Sequence, residues 1–139
     1  MGYTISLKIE DSKLRAEVFS FMRNNYVPFG KLLGYKDEYV RGPLTTDLSY
    51  DHDPSIIGFD YVSGPDGWYV TFLLRVIAIK LGISCTRYDG ENEIFTWEIG
   101  DPLDTKLFRD SHEEKCVEEE LKRISELWDQ KNQNWRREK

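Results

Sequence analysis

Apolar and polar positions change rhythm several times along the chain, and each change marks an element. Residues 3 to 9 alternate, with Tyr3, Ile5, Leu7 and Ile9 apolar and Thr4, Ser6 and Lys8 polar. Period two predicts a strand with one face on a core and the other toward water. The period then lengthens. Leu14, Val18, Phe21 and Met22 fall on one face of a helix, which Asp11 or Ser12 caps and Asn24-Asn25 closes. From Tyr26 to Pro43 the pattern weakens into irregular chain, with a short helical turn expected around Lys31 to Leu33. The aromatics of this stretch (Tyr26, Phe29, Tyr35 and Tyr39) are expected to pin a long connection onto the sheet.

Leu48-Ser49-Tyr50 and Ile56 to Val62 read as two arms of a hairpin joined through Asp51-His52-Asp53-Pro54. Aspartates bond their own backbone and proline presets φ, so this tetrad favours a turn. Ser63-Gly64-Pro65-Asp66-Gly67 breaks the chain before its most hydrophobic segment, Trp68 to Gly82. That segment is apolar on nearly every side. It predicts a buried central helix, capped by Asp66 (or Ser63 for an earlier start) and stopped by Gly82. With apolarity all round, no face of it is left over for function. Residues 83–88 and 93–99 form a second hairpin around Asp89-Gly90-Glu91-Asn92, and Gly100-Asp101-Pro102 ends it. The remainder is one long helix with Ser111 as its cap. Val117, Leu121, Ile124 and Trp128 make an apolar seam, and Trp135 continues the step.

The expected fold is therefore α+β. An antiparallel sheet of about five strands, in the order β-α-β-β-α-β-β-α, packs with a buried central helix and a long C-terminal helix. Residues 1–139 are expected to form a single domain, with a helical extension over about 111–139.

Charge narrows the function classes. The net charge of −6 argues against general affinity for nucleic acid or an anionic membrane, both of which need a basic face. No apolar run reaches the roughly 20 residues of a membrane span, and no leader pattern opens the chain, so a cytoplasmic location is expected. Cys85 and Cys116 match no Cys-x-x-Cys pair and are expected to be free thiols.

Candidate chemistry concentrates in the first hairpin. Asp47, Asp51, Asp53 and Asp60 surround His52 with the hydroxyls of Ser49 and Tyr50 nearby. Period two turns His52 away from Asp51 and Asp53, which weakens a metal reading. The N-terminus of the central helix offers amides to an anion, with Lys31, Lys36, Arg41 and Arg75 as the cations best placed in sequence. His112 and Cys116 share a helix face at i, i+4, but the chain signals no third ligand, so a surface helix start is expected there and no metal site. No phosphate loop, dinucleotide fingerprint, nucleophile elbow or other cofactor motif is present.

Without such signatures, the expected function is a non-catalytic binding module that engages a partner protein or itself. Trp128, Trp135 and Arg136 are its expected interface anchors. The alternative is a small-molecule binder for a nucleotide-like ligand, or a small hydrolase, using the 47–61 hairpin and the aromatic loop. It assigns Asp51, His52 and Asp60 as polar groups and Tyr50 and Trp68 as walls.

Overall fold

The computed structural model describes residues 3–35, 49–50, 53–62, 64–89, 92–103 and 111–137, with side chains at 4–35, 55–59, 67–88, 92–103 and 111–132. The elements are β1 (Tyr3–Lys8), α1 (Ser12–Asn25), α2 (Phe29–Leu32), β2 (Ser49–Tyr50), β3 (Asp53–Val62), α3 (Gly64–Leu81), β4 (Cys85–Asp89), β5 (Asn92–Trp97) and α4 (Ser111–Arg137). The expected α+β order holds. Five strands pair antiparallel in the order β2-β3-β1-β4-β5, four of them substantial and β2 only two residues long.

Strand register sorts the side chains into two faces. Phe59, Ile5, Arg87 and Phe95 stand opposite one another across β3, β1, β4 and β5. Ile57, Leu7, Cys85 and Trp97 make a second row on the same face. This is the face the helices cover, and Ile5, Leu7, Phe59 and Cys85 are all fully buried in it. On the reverse face Ser6 donates to the Thr86 carbonyl at 3.3 Å, and the Thr86 and Thr96 hydroxyls lie 3.1 Å apart. Small hydroxyl side chains there satisfy one another, as alternation with a polar outer face requires.

Three helices build the layer above the core face. Asp11 caps α1 by accepting from the amides of Lys13 and Leu14 at 2.9 and 3.2 Å, which satisfies two orphan donors of the first turn. Val18, Phe21 and Met22 are the buried stripe predicted for α1. The central helix α3 packs on β1, β3 and β4, and α4 lies against it. Between Tyr69 and Ala78 no residue of α3 is more than 7% exposed. Fully burying each large apolar side chain contributes about 1.5–3 kcal/mol, so this helix dominates the core energetically. Tyr26 packs on Phe59 of β3 at a ring distance of 5.1 Å, and Tyr26 and Phe29 meet Tyr69 at 6.2 and 5.4 Å, so these two pin the connection. Tyr35 is 55% exposed and does not, and Tyr39 lies outside the described residues.

The ends of the elements refine the expectations. Helix α3 begins at Gly64, so Asp66 lies inside its first turn and is not the cap; the Ser63 alternative lies outside the described residues. Gly82 ends the helix as predicted, with φ +71° and the Ile83 amide bonded back to Ala78. Asp53 and Pro54, expected in a turn, are the first residues of β3. Ser111 is the first residue of α4 and therefore not its cap.

The seam of α4 docks as its spacing requires. Val117, Leu121, Ile124 and Trp128 are all buried, and Trp128 meets Phe21 edge-on with ring centroids 5.1 Å apart. Beside the seam, Arg123 pairs with the buried Glu120 and also donates to the Asn25 carbonyl at 2.7 Å. One guanidinium thus neutralises a buried carboxylate and ties α4 to the end of α1.

Among the described glycines, Gly58 has the closest neighbours. A Cβ there would lie 2.1 Å from the Ile5 carbonyl oxygen, where β3 crosses β1. Backbone atoms cannot swing aside as a side-chain tip can. Gly58→Ala is expected to lower the unfolding free energy by about 3 kcal/mol in urea titrations. Gly100→Ala, whose Cβ would meet nothing within 4 Å, should change it by less than about 0.5 kcal/mol. Equal effects of the two substitutions would contradict this packing.

Candidate functional site

The two rows of the core face do not end at the same depth. Both start deeply buried at β3 and β1, but at β5 Trp97 is half-buried while Phe95 is 51% exposed. The sheet extends further sideways than the helices that cover it. Between the uncovered β5 and the flank of α3 lies a cleft of about 550 Å³.

One wall comes from α3. Trp68, Thr71, Phe72 and Arg75 recur at helical spacing and form a single stripe along it. The opposite wall is Ile94, Phe95 and Trp97 of β5, with Phe95 and Trp97 in edge contact at 4.9 Å. A register shift between Arg87 and Tyr88 lets Ile94 and Phe95 both reach the cleft, although strict alternation would send them to opposite faces. Trp68 and Ile94, at 37% and 48% exposed, stand at the rim.

The polar groups of the cleft are few and fixed. Arg75 is only 4% exposed, and its Nη2 and Nη1 donate to the carbonyls of Asp101 and Pro102 at 2.7 and 3.1 Å. Its guanidinium carbon lies 5.7 Å from the centre of the Trp97 ring, a cation–π arrangement. Burial lowers its pKa, against the raising effects of Cys85 and Asp101, and a guanidinium still keeps its charge at any ordinary pH. The turn that Arg75 grips is closed by Asp101 itself, whose Oδ2 accepts from the Glu98 amide at 2.9 Å. Thr71 spends its hydroxyl on the Gly67 carbonyl, 2.6 Å away in the preceding turn of α3. Arg87, on β4 opposite Phe95, brings a second guanidinium to the lining.

The residues expected from sequence divide differently. Trp68 lies in this cleft. Tyr50 lies on β2, at the sheet edge opposite β5, four strand spacings or about 19 Å away. Its side chain and that of Asp60 on β3 lie outside the described residues, as do Asp51 and His52 entirely. Trp128 is 3% exposed, so its ring belongs to the core and offers no surface to a partner. The side chains of Trp135 and Arg136 lie outside the described residues. The stripe of α3 beside the cleft is exposed only at Trp68, while Thr71, Phe72 and Arg75 stay buried, so the expectation of a structural helix holds along this stripe for all but Trp68. An arginine in the middle of an apolar helix was the available signal, because a buried cation needs partners or a purpose.

His112 and Cys116 come within 3.7 Å of each other on α4, as their spacing requires. Among the described residues no group of three or more His, Cys, Asp or Glu is placed to hold a metal ion. Within the same set, no helix is long and apolar enough to cross a membrane. Comparison with protein-family models, curated proteins and solved structures finds no match, so the reading of this site rests on its own geometry.

Both cysteines are free, and Cys85 sits fully buried under the inner end of the cleft. Burial pushes its thiol up to about 12, only partly countered by the Arg75 charge. A thiol held neutral in this way is no nucleophile. At pH 8 a disulfide reagent is expected to label Cys116 in the native protein and Cys85 only after unfolding. A folded-state pKa raised above the unfolded value gives stability that is intact below 9.0 and is lost as pH rises toward about 12. Cys85→Ala should flatten that alkaline decline in stability measured by urea unfolding. An unchanged slope would contradict a buried neutral thiol.

Proposed function

We propose that the protein is a non-catalytic binding module whose α3–β5 cleft engages an extended segment of a partner protein. The observation that carries this reading is the exposure of Trp68, Ile94 and Phe95, large apolar side chains that line the same cleft. Scattered exposed apolar residues are ordinary, but a gathered group beside a cleft marks an interaction surface. β5 is also an edge strand, so its outer backbone groups are positioned to pair with an added strand.

Self-association through the same surface is less well supported. An isologous dimer needs a patch complementary to itself, whereas an added segment has only to match the β5 edge and one wall of the cleft. A small molecule is favoured by one observation, the cleft's volume of about 550 Å³, which lies within the usual range for small ligands. Thermal-shift screening with nucleotides and aromatic carboxylates separates the two, since a small ligand should raise the melting temperature by itself.

A displayed library of random peptides, selected on the immobilised full chain, tests the proposal. Enriched peptides are expected to carry an aromatic or branched aliphatic anchor. Trp68→Ala and Phe95→Ala should each weaken their binding roughly tenfold, about 1.4 kcal/mol. Both side chains are substantially exposed, so the melting temperature should move by only a few degrees. Selected peptides that bind the two variants as well as the unaltered protein would overturn the reading.

A further inference from the structure

We propose that the partner segment is basic and joins the sheet as a strand beside β5, with alternate residues apolar toward the cleft and lysine or arginine on the other side, where they meet the carboxylates of Glu93 and Glu98. This inference rests on the cleft being a polypeptide-binding site and specifies what it selects.

Charge is unevenly spread along the sequence. From Tyr88 to Thr105 the chain carries six acidic residues (Asp89, Glu91, Glu93, Glu98, Asp101 and Asp104) and no lysine or arginine. This one stretch holds as much net negative charge as the whole chain, whose total is −6. β5 lies in its middle, with Ile94 and Phe95 exposed. Among the described residues no strand pairs with the outer side of β5, so a row of backbone donors and acceptors is open there. The two guanidiniums of the cleft lie inward of this margin. Arg75 is 4% exposed, bound to two carbonyls and under the influence of the Asp101 charge, and Arg87 is half-buried on β4, one strand in. The described charges at the edge itself are the carboxylates of Glu93 and Glu98, both exposed.

Strand geometry sorts these groups by side. On β5, Phe95 and Trp97 belong to the cleft face, whereas Thr96 meets Thr86 on the reverse face. Glu93 shares that reverse face, since its Oε1 accepts from the Thr96 hydroxyl at 2.8 Å. Period two carries Glu98 to the same side. A strand laid beside β5 takes up the same alternation. Its residues next to Phe95 and Trp97 face the apolar cleft, and the intervening ones stand beside the carboxylates. Opposite charges so placed on neighbouring strands attract, and like charges repel. That repulsion disfavours a second copy at this edge, which would bring the same acidic stretch against itself. A nucleic acid is repelled for the same reason.

Fluorescence anisotropy of labelled, end-blocked peptides with the full chain at low ionic strength tests this. One set alternates valine or phenylalanine with lysine, and two others place glutamine or glutamate at the lysine positions. The lysine set is expected to bind roughly fivefold tighter than the glutamine set, as two exposed ion pairs allow, with the glutamate set weakest. Glu93→Gln combined with Glu98→Gln should reduce that preference to about twofold or less and leave the glutamine set bound as before. The same pair of changes at Glu118 and Glu119, exposed on α4, should leave the preference intact. N-methylation of every second peptide amide blocks one edge of an added strand, so it should abolish binding in one of its two phases and spare the other. If the β5 variant fails to fold, added salt should erode the lysine preference of the unaltered protein and spare the glutamine set. Equal binding of the lysine and glutamine sets, an equal loss from the α4 changes, or indifference to both phases of N-methylation would overturn the basic-strand proposal. The polypeptide-binding reading would then stand if Phe95→Ala still weakened the peptides. Absence of binding by all three sets would remove both.

Discussion

Everything in this structure depends on covering α3. A helix that is apolar on nearly every side must be enclosed on nearly every side, and this one is, from Tyr69 to Ala78. The sheet lies beneath it, α4 lies against it, and the aromatic connection closes over Tyr69. Each neighbour has the surface this demands: two buried rows on the sheet, the Val117–Trp128 seam on α4, and the Tyr26 and Phe29 rings. The hydrophobic effect is non-directional, so what gives the core its arrangement is the match of these shapes. Gly58 belongs to the same requirement, since the β1–β3 approach that supports the floor of the core has no room for a Cβ.

The cleft is what remains where that covering stops. The sheet carries its rows one strand past the helical layer, and β5 is left with Phe95 half in solvent. Arg75 turns this margin into a defined site. By gripping the 101–102 carbonyls it fixes the turn after β5 to the middle of α3, so both walls of the cleft are held by one buried side chain. Its role in the fold and its charge at the site are inseparable. Beside it, Asp101 accepts from the Glu98 amide and Thr71 donates to the Gly67 carbonyl, so both side chains are held by backbone.

Much of the architecture was legible in the sequence because local patterns and burial agree. The alternation of residues 3–9, the two arms at 83–88 and 93–99, the glycine stop at Gly82 and the four-three-four step of the α4 seam each specify an element or its end, and each is present. The site was less legible, for a physical reason. Cysteine, histidine and aspartate clusters announce themselves by composition, as Asp51, His52 and Asp60 do. A cleft arises instead from how far one layer extends beyond another, and no local window contains that information. The 68–75 stripe reads as core when taken alone, because Trp68 and Phe72 have the same spacing whether covered or not. Trp128 shows the converse: a tryptophan taken as an interface anchor proves to be core, since the seam to which it belongs is used up inside the molecule.

The central claim is that binding occurs between α3 and β5, and not at the 47–61 hairpin or along the tail of α4. Two-dimensional NMR of the full chain, titrated with a peptide selected on the immobilised protein, tests this most directly. The account predicts shifts concentrated at the indole N–H groups of Trp68 and Trp97, the guanidinium N–H groups of Arg75 and Arg87, and the amides of residues 94–102. Shifts gathered instead around Tyr50 to Asp60, or around Trp135, would contradict it.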